Sequence, residues 1–564
     1  MPIHHVLRSA FALLLVLLSA PAVSGQSART VGVLQFDSAQ AVTGYTLFSP
    51  IRAKRTYLID NCGFIVNQWS SNYNPALMAY LTDDGHLFHT GVDELTPTFR
   101  SGGGVGGYLE LLDWDGNVVW SYLLSTPFQC QHHDAIVLPN GNVLALAWEL
   151  FTDAEAVNAG RDPNLINQGE IWGEKLIELR PVLPDSAEVI WEWRVWDHVV
   201  QNYDATKPNF GIIADHPELL DLNWDEFGNG KKDWLHFNAV DYNAAEDQIV
   251  LSSRNTSEIY IIDHSTTPAE AAGHTGGRSG KGGDFLWRWG NPQVYDRGDA
   301  STRQFYWQHN PNWIDSGYVN SGKIIAFNNG TYRPGNDYST VDLLDVLPDA
   351  QGNYALLADG TFAPAAPDWQ YTAPNPTDLF SPFISGAQGL PNGNVLIANG
   401  NQGTFIEVNP AKDQVWRYRN PDIGNTIVVQ GDSIPGESVA DQLVNGVFRA
   451  VRYLPDHPGL ADKVLTPGST VEPDPNPVPC NALSRTNPSV LPAFVRYPNP
   501  GTTYLKVELP GRKTAKYRVV DALGREKQSG VMRAGSGELD LTDLLPGWYL
   551  LQVDGYAPQR FVKQ

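Results

Sequence analysis

From about Thr30 to Val464 the chain alternates apolar and polar residues in short runs with the period of a β-strand, and long amphipathic helical patterns are scarce. The runs are broken by Asp84-Gly85, Asp115-Gly116, Asn140-Gly141 and Asn392-Gly393. These pairs suit the positive backbone φ of a two-residue hairpin turn. One phrase closes several stretches: two apolar residues, a Trp, any residue, an aromatic. It stands at Val118–Tyr122, Val189–Trp193, Phe285–Trp289 and, more loosely, Gln414–Tyr418, with a weaker relative at Phe64–Trp69. A second phrase, Leu-Pro-Asn-Gly-Asn-Val-Leu, occurs at 138–144 and 390–396.

Repeats of several tens of residues built only from strands predict a ring of blades, in which inner strands begin around a central channel. Whole blades start near Ala76, His132, Leu235, Phe305 and Phe383. Phe448–Val464 reads as the inner part of a sixth, and Gly44–Trp69 as its outer part. One blade built from both ends of the domain hides the edges that an open sheet would expose. The expectation is an all-β chain: a six-bladed β-propeller over 30–466, followed by a small C-terminal β-sandwich. Seven blades stay open, because insertions around 153–170, 200–230 and 331–376 blur the period.

The ends read differently. Arg8, the apolar run Ala10–Leu18 and the small residues before Gly25 predict a signal peptide over 1–25. Five prolines between Pro467 and Pro479 predict a stiff linker over 467–489. The unit 490–564 is strand-rich with Gly and Asp turns. The net charge is −23, which argues against nucleic acid as a partner. No apolar stretch after the signal is long enough to span a membrane, so the mature protein is expected to be soluble and exported. Export permits one disulfide among Cys62, Cys130 and Cys480, and Cys62–Cys130 is the expected pair. No Cys spacing resembles a metal site, and no Gly-rich phosphate cradle is present.

Three predicted blade starts carry His: Gln131-His132-His133-Asp134, Leu235-His236-Phe237-Asn238 and Gln308-His309-Asn310. Aligning Ala135 with Ala239 sets His132 opposite His236. The strand Ile249–Ser253 returns toward the start of its inner neighbour, which brings Arg254 near His236. A lone His at a strand start is usually structural; three at corresponding starts, with an Arg, point to a shared site. Tyr306 and Trp307 flank His309 and can stack on an aromatic ligand or belong to the core. Arg449 and Arg452, in the closing blade, add positive potential or are ion-paired.

Asp233–Asn243, Ile249–Ile262 with its Ser-Ser-Arg-Asn core, and Phe383–Asn394 resemble the bacterial arylsulfotransferase family, the PAPS-independent aryl-sulfate sulfotransferases. The resemblance covers most of 30–465. It implies a six-bladed propeller without cofactor or metal that moves a sulfuryl group from an aryl sulfate to a phenol through a sulfohistidine. It puts the nucleophile on His309, with Arg254, His236 and His132 completing the catalytic set and His133 the alternative to His132. Asn238, Tyr306 and Trp307 are the expected substrate-binding residues. Tyr497–Pro500, Val520–Arg525, Gly547–Val553 and the ending Arg560–Gln564 resemble the type A sorting domain of the type IX secretion system. That implies the secretion machinery as partner, passage through the periplasm, and release or attachment at the cell surface. The residue types suit the chemistry: a guanidinium holds sulfate oxygens in two parallel hydrogen bonds, one imidazole attacks sulfur, and another moves the phenolic proton. Two other readings compete: a metal-dependent hydrolase or lyase using the three His, and a non-catalytic surface-binding propeller.

Overall fold

The computed structural model describes residues 29–96, 98–349, 352–435, 443–475, 477, 479–480, 495–509, 514–521, 525–532, 535–553, 556 and 559–564. The predicted signal peptide and Ala522–Gly524 lie outside them. The chain is all-β and divides into two compact units, Met1–Leu483 and Ser484–Gln564.

The first unit contains six antiparallel sheets of the kind the hairpin signals predict. Their innermost strands are Pro75–Leu81, Gln129–Val137, Phe237–Asn243, His309–Trp313, Gly386–Gly389 and Val447–Tyr453, and we number the sheets one to six in that order. Each inner strand contacts the next, and the sixth contacts the first. Sheet six joins both ends of the domain, as the sequence predicts: Val447–Tyr453 pairs with Tyr45–Pro50 in the register Tyr45↔Tyr453, Leu47↔Val451. The sequence reading assigned no partner to Gly32–Phe36; it adds a fifth strand to the outer edge of sheet five, against Gln414–Arg419.

The apolar core lies between the sheets. Phe88, Leu109 and Trp120 of sheet one pack on Ala135, Val143 and Ile177 of sheet two. Equivalent clusters join two to three, three to four, four to five, five to six, and six back to one. The repeated Trp phrase belongs to these seams. Each Trp is buried on the fourth strand of its sheet counted from the inside, where its indole N–H needs a partner. Trp69 Nε1 donates to the carbonyl of Asp113 at 2.9 Å, Trp120 to Ser186 at 2.7 Å, Trp287 to Ala363 at 2.7 Å and Trp416 to Asn61 at 2.7 Å; in sheet two Trp191 donates to the Thr266 hydroxyl at 3.1 Å, and the closing aromatic Trp193 to the Gly283 carbonyl at 2.7 Å. Each bond runs from one sheet to a segment beside the next. Sheet four breaks the pattern: Trp369 Nε1 is buried with no hydrogen-bond partner.

The disulfide expectation is corrected. Cys62 pairs with Cys480, and Cys130 is free and buried. Cys62 sits in an exterior hairpin turn of sheet six. The chain beyond Leu465 runs back beside that hairpin, where Gly468 N–H donates to the Ile65 carbonyl at 2.8 Å and Ile65 N–H to that of Ser469 at 2.9 Å. Cys130 instead faces Phe99, Trp148 and Trp172 inside sheet two. Val471 and Glu472, in the segment read as linker, are also buried.

The second unit holds a three-stranded and a four-stranded antiparallel sheet. Leu505, Val507, Val519, Leu539, Leu551 and Phe561 share one apolar cluster. Among the described residues no helix is long and apolar enough to cross a membrane.

Candidate active site

The inner strands are irregular near their N-terminal ends. Strand pairing slips by one or more residues in sheets one to four and six, so each inner strand bulges there. Left-handed backbone accompanies the bulges: Leu77 has φ 90°, His133 47°, His236 52°, Trp307 61° and Asn310 52°. Non-glycine residues avoid this region, and a bulge that adopts it re-aims a side chain. His133, His236 and Trp307 are turned this way.

His133 and His236 stand edge to face, ring centroids 4.5 Å apart. His309 and His133 each lie 6.2 Å from the ring of Phe448. Arg254 follows the strand Gln248–Ser253, and its backbone N–H donates to the His236 carbonyl at 3.2 Å. Its guanidinium lies 3.4 Å from the Trp307 ring centroid, and its buried Nε has no hydrogen-bond partner. The structure thus brings His133, His236, Arg254, Trp307 and His309 together. His132 lies behind His133: fully buried, stacked on Trp148 at 4.0 Å, with its Nδ1 2.9 Å from that of His133.

Hydrogen bonds fix the rings. The His309 Nδ1–H donates to Asn329 Oδ1 at 2.8 Å, leaving Nε2 as the acceptor for the Ile384 backbone N–H at 3.2 Å. His236 Nδ1 is 2.6 Å from Asp233 Oδ2, which leaves its Nε2 edge free of the carboxylate. His132 Nε2 is 2.8 Å from Glu174 Oε2, while Glu174 Oε1 accepts the Phe237 N–H at 2.8 Å. Glu174, His132 and His133 therefore form one buried chain.

Burial governs the charges. It pushes the His309 and His133 rings well below the usual histidine range, with Arg254 and the neighbouring imidazoles adding to the effect. Burial also takes His132 down to about 3 and raises Glu174 well above the carboxylate range. Burial would raise Asp233 too, yet His236, His132 and Arg254 hold it below its ordinary value. Arg254 is lowered by burial to about 10, so it stays cationic at neutral pH.

The other expected residues have structural partners. Asn238 is buried, and its Nδ2 donates to the Gln308 carbonyl at 2.9 Å. Tyr306 lies between Arg303 and Arg333, at 4.6 and 5.2 Å. Arg449 is buried against Asp134 at 2.7 Å, and Arg452 against Glu407 at 3.3 Å. A cavity of about 580 Å³ opens among the C-terminal halves of the inner strands, beyond Arg449 and Tyr80 and away from the His cluster.

Sequence reasoning missed three parts of the site. The run Gly102-Gly103-Gly104 covers it: a Cβ on Gly103 would lie 3.2 Å from His236, and one on Gly104, where φ is +78°, 2.5 Å from His133. A triple Gly inside a strand-rich stretch was the available signal. Glu226 accepts from Trp307 Nε1 at 3.0 Å and pairs with Arg303 at 2.7 Å. Tyr332 stands 4.9 Å from Trp307, edge on, with Phe227 beside both. Both come from insertions without strand pattern, and nothing local marked them.

A family model described as Arylsulfotransferase (ASST) matches residues 44–433, more than half of the chain. The chain belongs to the arylsulfotransferase family. At that level it is a sulfotransferase enzyme, and the match takes in His133, His236, Arg254 and His309. A second model, a secretion system C-terminal sorting domain, matches residues 496–563 and marks the arylsulfotransferase for export to the cell surface or beyond. No curated protein matches the chain. Among solved structures, a protein of unknown function from Bacteroides caccae is 10% identical with TM-score 0.38, covering 73% of this chain and 98% of that one. A catalytically inactive virginiamycin B lyase from Staphylococcus aureus, solved with quinupristin, is 8% identical with TM-score 0.30, covering 69% and 88%. The Cps50 β-propeller domain of Myceliophteria thermophila is 8% identical with TM-score 0.30, covering 62% and 88%.

Proposed function

We propose that the enzyme moves a sulfuryl group from an aryl sulfate to a phenolic acceptor through a sulfohistidine on His309, without PAPS, on a six-bladed propeller whose blades are the six sheets. One observation carries the reading: a buried, stacked guanidinium with an unpartnered Nε beside three oriented imidazoles. Arg254 binds the sulfate oxygens and stabilises charge in the transition state. The neutral Nε2 of His309, its long hydrogen bond from the Ile384 N–H given up, attacks sulfur, the S–O bond to the phenol breaks, and the electron pair leaves on the phenolate oxygen. His236, its Nδ1 held by Asp233, supplies a proton to that oxygen from Nε2 and later takes one from the acceptor phenol. The acceptor oxygen then attacks sulfur, and the bond to His309 breaks.

His133 replaces His132 as the third imidazole facing the substrate. Glu174 and His132 position it. Trp307, Tyr332 and Phe227 offer aromatic surface for the phenol ring. Asn238 and Tyr306 hold the scaffold. The signal peptide and the sorting unit, a small sandwich, carry the protein through the periplasm to the type IX machinery.

The test is incubation with a nitrophenyl sulfate and no acceptor. One acid-labile sulfuryl group per chain should appear on the peptide containing His309, and His309→Ala should lose adduct and turnover while remaining folded. Normal transfer by His309→Ala overturns the covalent role of this residue.

A further inference from the structure

Away from the active site, one group of three potential ligands converges among the described residues: His198, His274 and Asp284, with ligand atoms all within 4.8 Å of one another. His198 follows the outer strand of sheet two and begins the long insertion that ends near Asp233. His274 and Asp284 lie on the Gly-rich loop before the last strand of sheet three. His198 Nδ1 and His274 Nδ1 both lie 2.8 Å from Asp284 Oδ1.

The donors and acceptors do not balance for neutral rings. His198 is fully buried, and its Nε2 lies 2.8 Å from the Ala271 carbonyl, which can only accept. Nε2 therefore carries the ring's proton, and a neutral His198 leaves Nδ1 bare. A bare Nδ1 facing a carboxylate oxygen sets lone pair against lone pair. A cation between them resolves the conflict, and a ligating His that donates its other N–H to a backbone carbonyl is the arrangement metal sites use to fix the ring.

The surroundings hold this geometry. The His198 ring stacks on Trp193 at 5.5 Å, and Trp193 Nε1 donates to the Gly283 carbonyl at 2.7 Å. A Cβ on Gly283 would lie 2.5 Å from His198 Nε2 and 2.1 Å from the Ala271 carbonyl, so the loop closes this tightly only with glycine. His274 is 59% exposed along its side chain, leaving one side open to water.

We infer that His198 Nδ1, His274 Nδ1 and an Asp284 oxygen bind a divalent transition-metal ion of the zinc class, with water completing the shell. Two imidazoles and one carboxylate suit zinc and disfavour calcium or magnesium, which take oxygen ligands. Metal–ligand bonds of about 2.0–2.2 Å require both imidazole nitrogens to open from the Asp284 oxygen by roughly half an ångström: the exposed His274 is free to do so, and the buried His198–Asp284 pair must open with it. The role is structural. The ion ties the insertion to sheet three; farther along, the insertion presents Glu226 to Trp307, the platform of Arg254.

The test uses the full mature chain, stripped with a chelator and titrated with zinc and, separately, with cobalt. Zinc should bind with one equivalent assigned to this site and raise the thermal midpoint, and cobalt should give visible d–d bands. His274→Ala, a surface change that removes a direct ligand, should weaken that equivalent by more than about 100-fold, beyond the 10–100-fold that loss of an outer partner costs, and abolish the thermal shift. Running both proteins with His236→Asn removes any ion held by the active-site imidazoles. Equal binding with and without His274, no stoichiometric uptake of either metal, or a ¹⁵N spectrum showing His198 protonated at both nitrogens in the presence of zinc overturns the assignment.

Discussion

At the scale of the residue, function depends on which proton sits on which ring. His309 and His133 are buried beside cations, and both effects disfavour the protonated ring. A nucleophile with so low a pKa stays neutral on mild acidification. The rate of forming the sulfuryl adduct should therefore hold from pH 7 to about pH 5 instead of falling near 6.5, the ordinary histidine value. Single-turnover rates across that range check this, and a fall centred near 6.5 would contradict it. The same depression works against the fold in acid: below pH 6.5 the unfolded chain takes up protons that the native rings refuse, so this contribution to stability declines as pH falls. His132 and His133 should separate in mutants. His133→Asn, which removes the third imidazole facing the substrate, is expected to slow transfer by about 10²–10³-fold, the range for a lost transition-state hydrogen bond. His132→Gln, which can still hydrogen-bond to His133, should cost less. Arg254→Ala should cost about 10²–10³-fold, as for a lost oxyanion donor.

At the scale of the element, strands are tied across the seams by the indole bonds as well as by apolar contact. Trp120 is fully buried, and its N–H is the partner of the Ser186 carbonyl. Trp120→Phe keeps an aromatic ring but removes the indole donor and leaves a gap in the seam. It should lower stability by about 1–3 kcal/mol in a denaturation experiment with little effect on transfer. An unchanged midpoint would mean that water replaces the bond. The inner-strand bulges serve the site more than the fold: left-handed backbone at a non-glycine residue costs of order 1–3 kcal/mol, and here it falls on His133, His236 and Trp307.

At the scale of the whole molecule, the ring of sheets and the C-terminal unit have separate cores. The Cys62–Cys480 disulfide closes within the first unit, so a chain ending after Leu483 keeps it. That truncated protein should transfer sulfate as the full chain does in vitro and fail to be exported by its cell of origin. Loss of activity in a folded truncation would assign the C-terminal unit a catalytic part.

The strand period, the hairpin turns and the Trp phrase follow from local chemistry, so the sequence alone determined the all-β class, the repeating sheets and the shared sheet of the two domain ends. It also brought His236, Arg254 and His309 to one end of the sheets as neighbours, because strand starts and antiparallel returns are readable from alternation. Only the tertiary structure shows that His133, and not His132, is the ring that stands against His236. Two adjacent residues in a regular strand face opposite ways, but a bulge resets that alternation, and the bulge depends on the partner strand. The disulfide was likewise decided in three dimensions, by a segment after Leu465 that folds back beside Cys62 across more than 400 residues. Glu226, Tyr332 and the triple glycine reach the site from loops, whose direction is set by the sheets they leave and not by their own pattern.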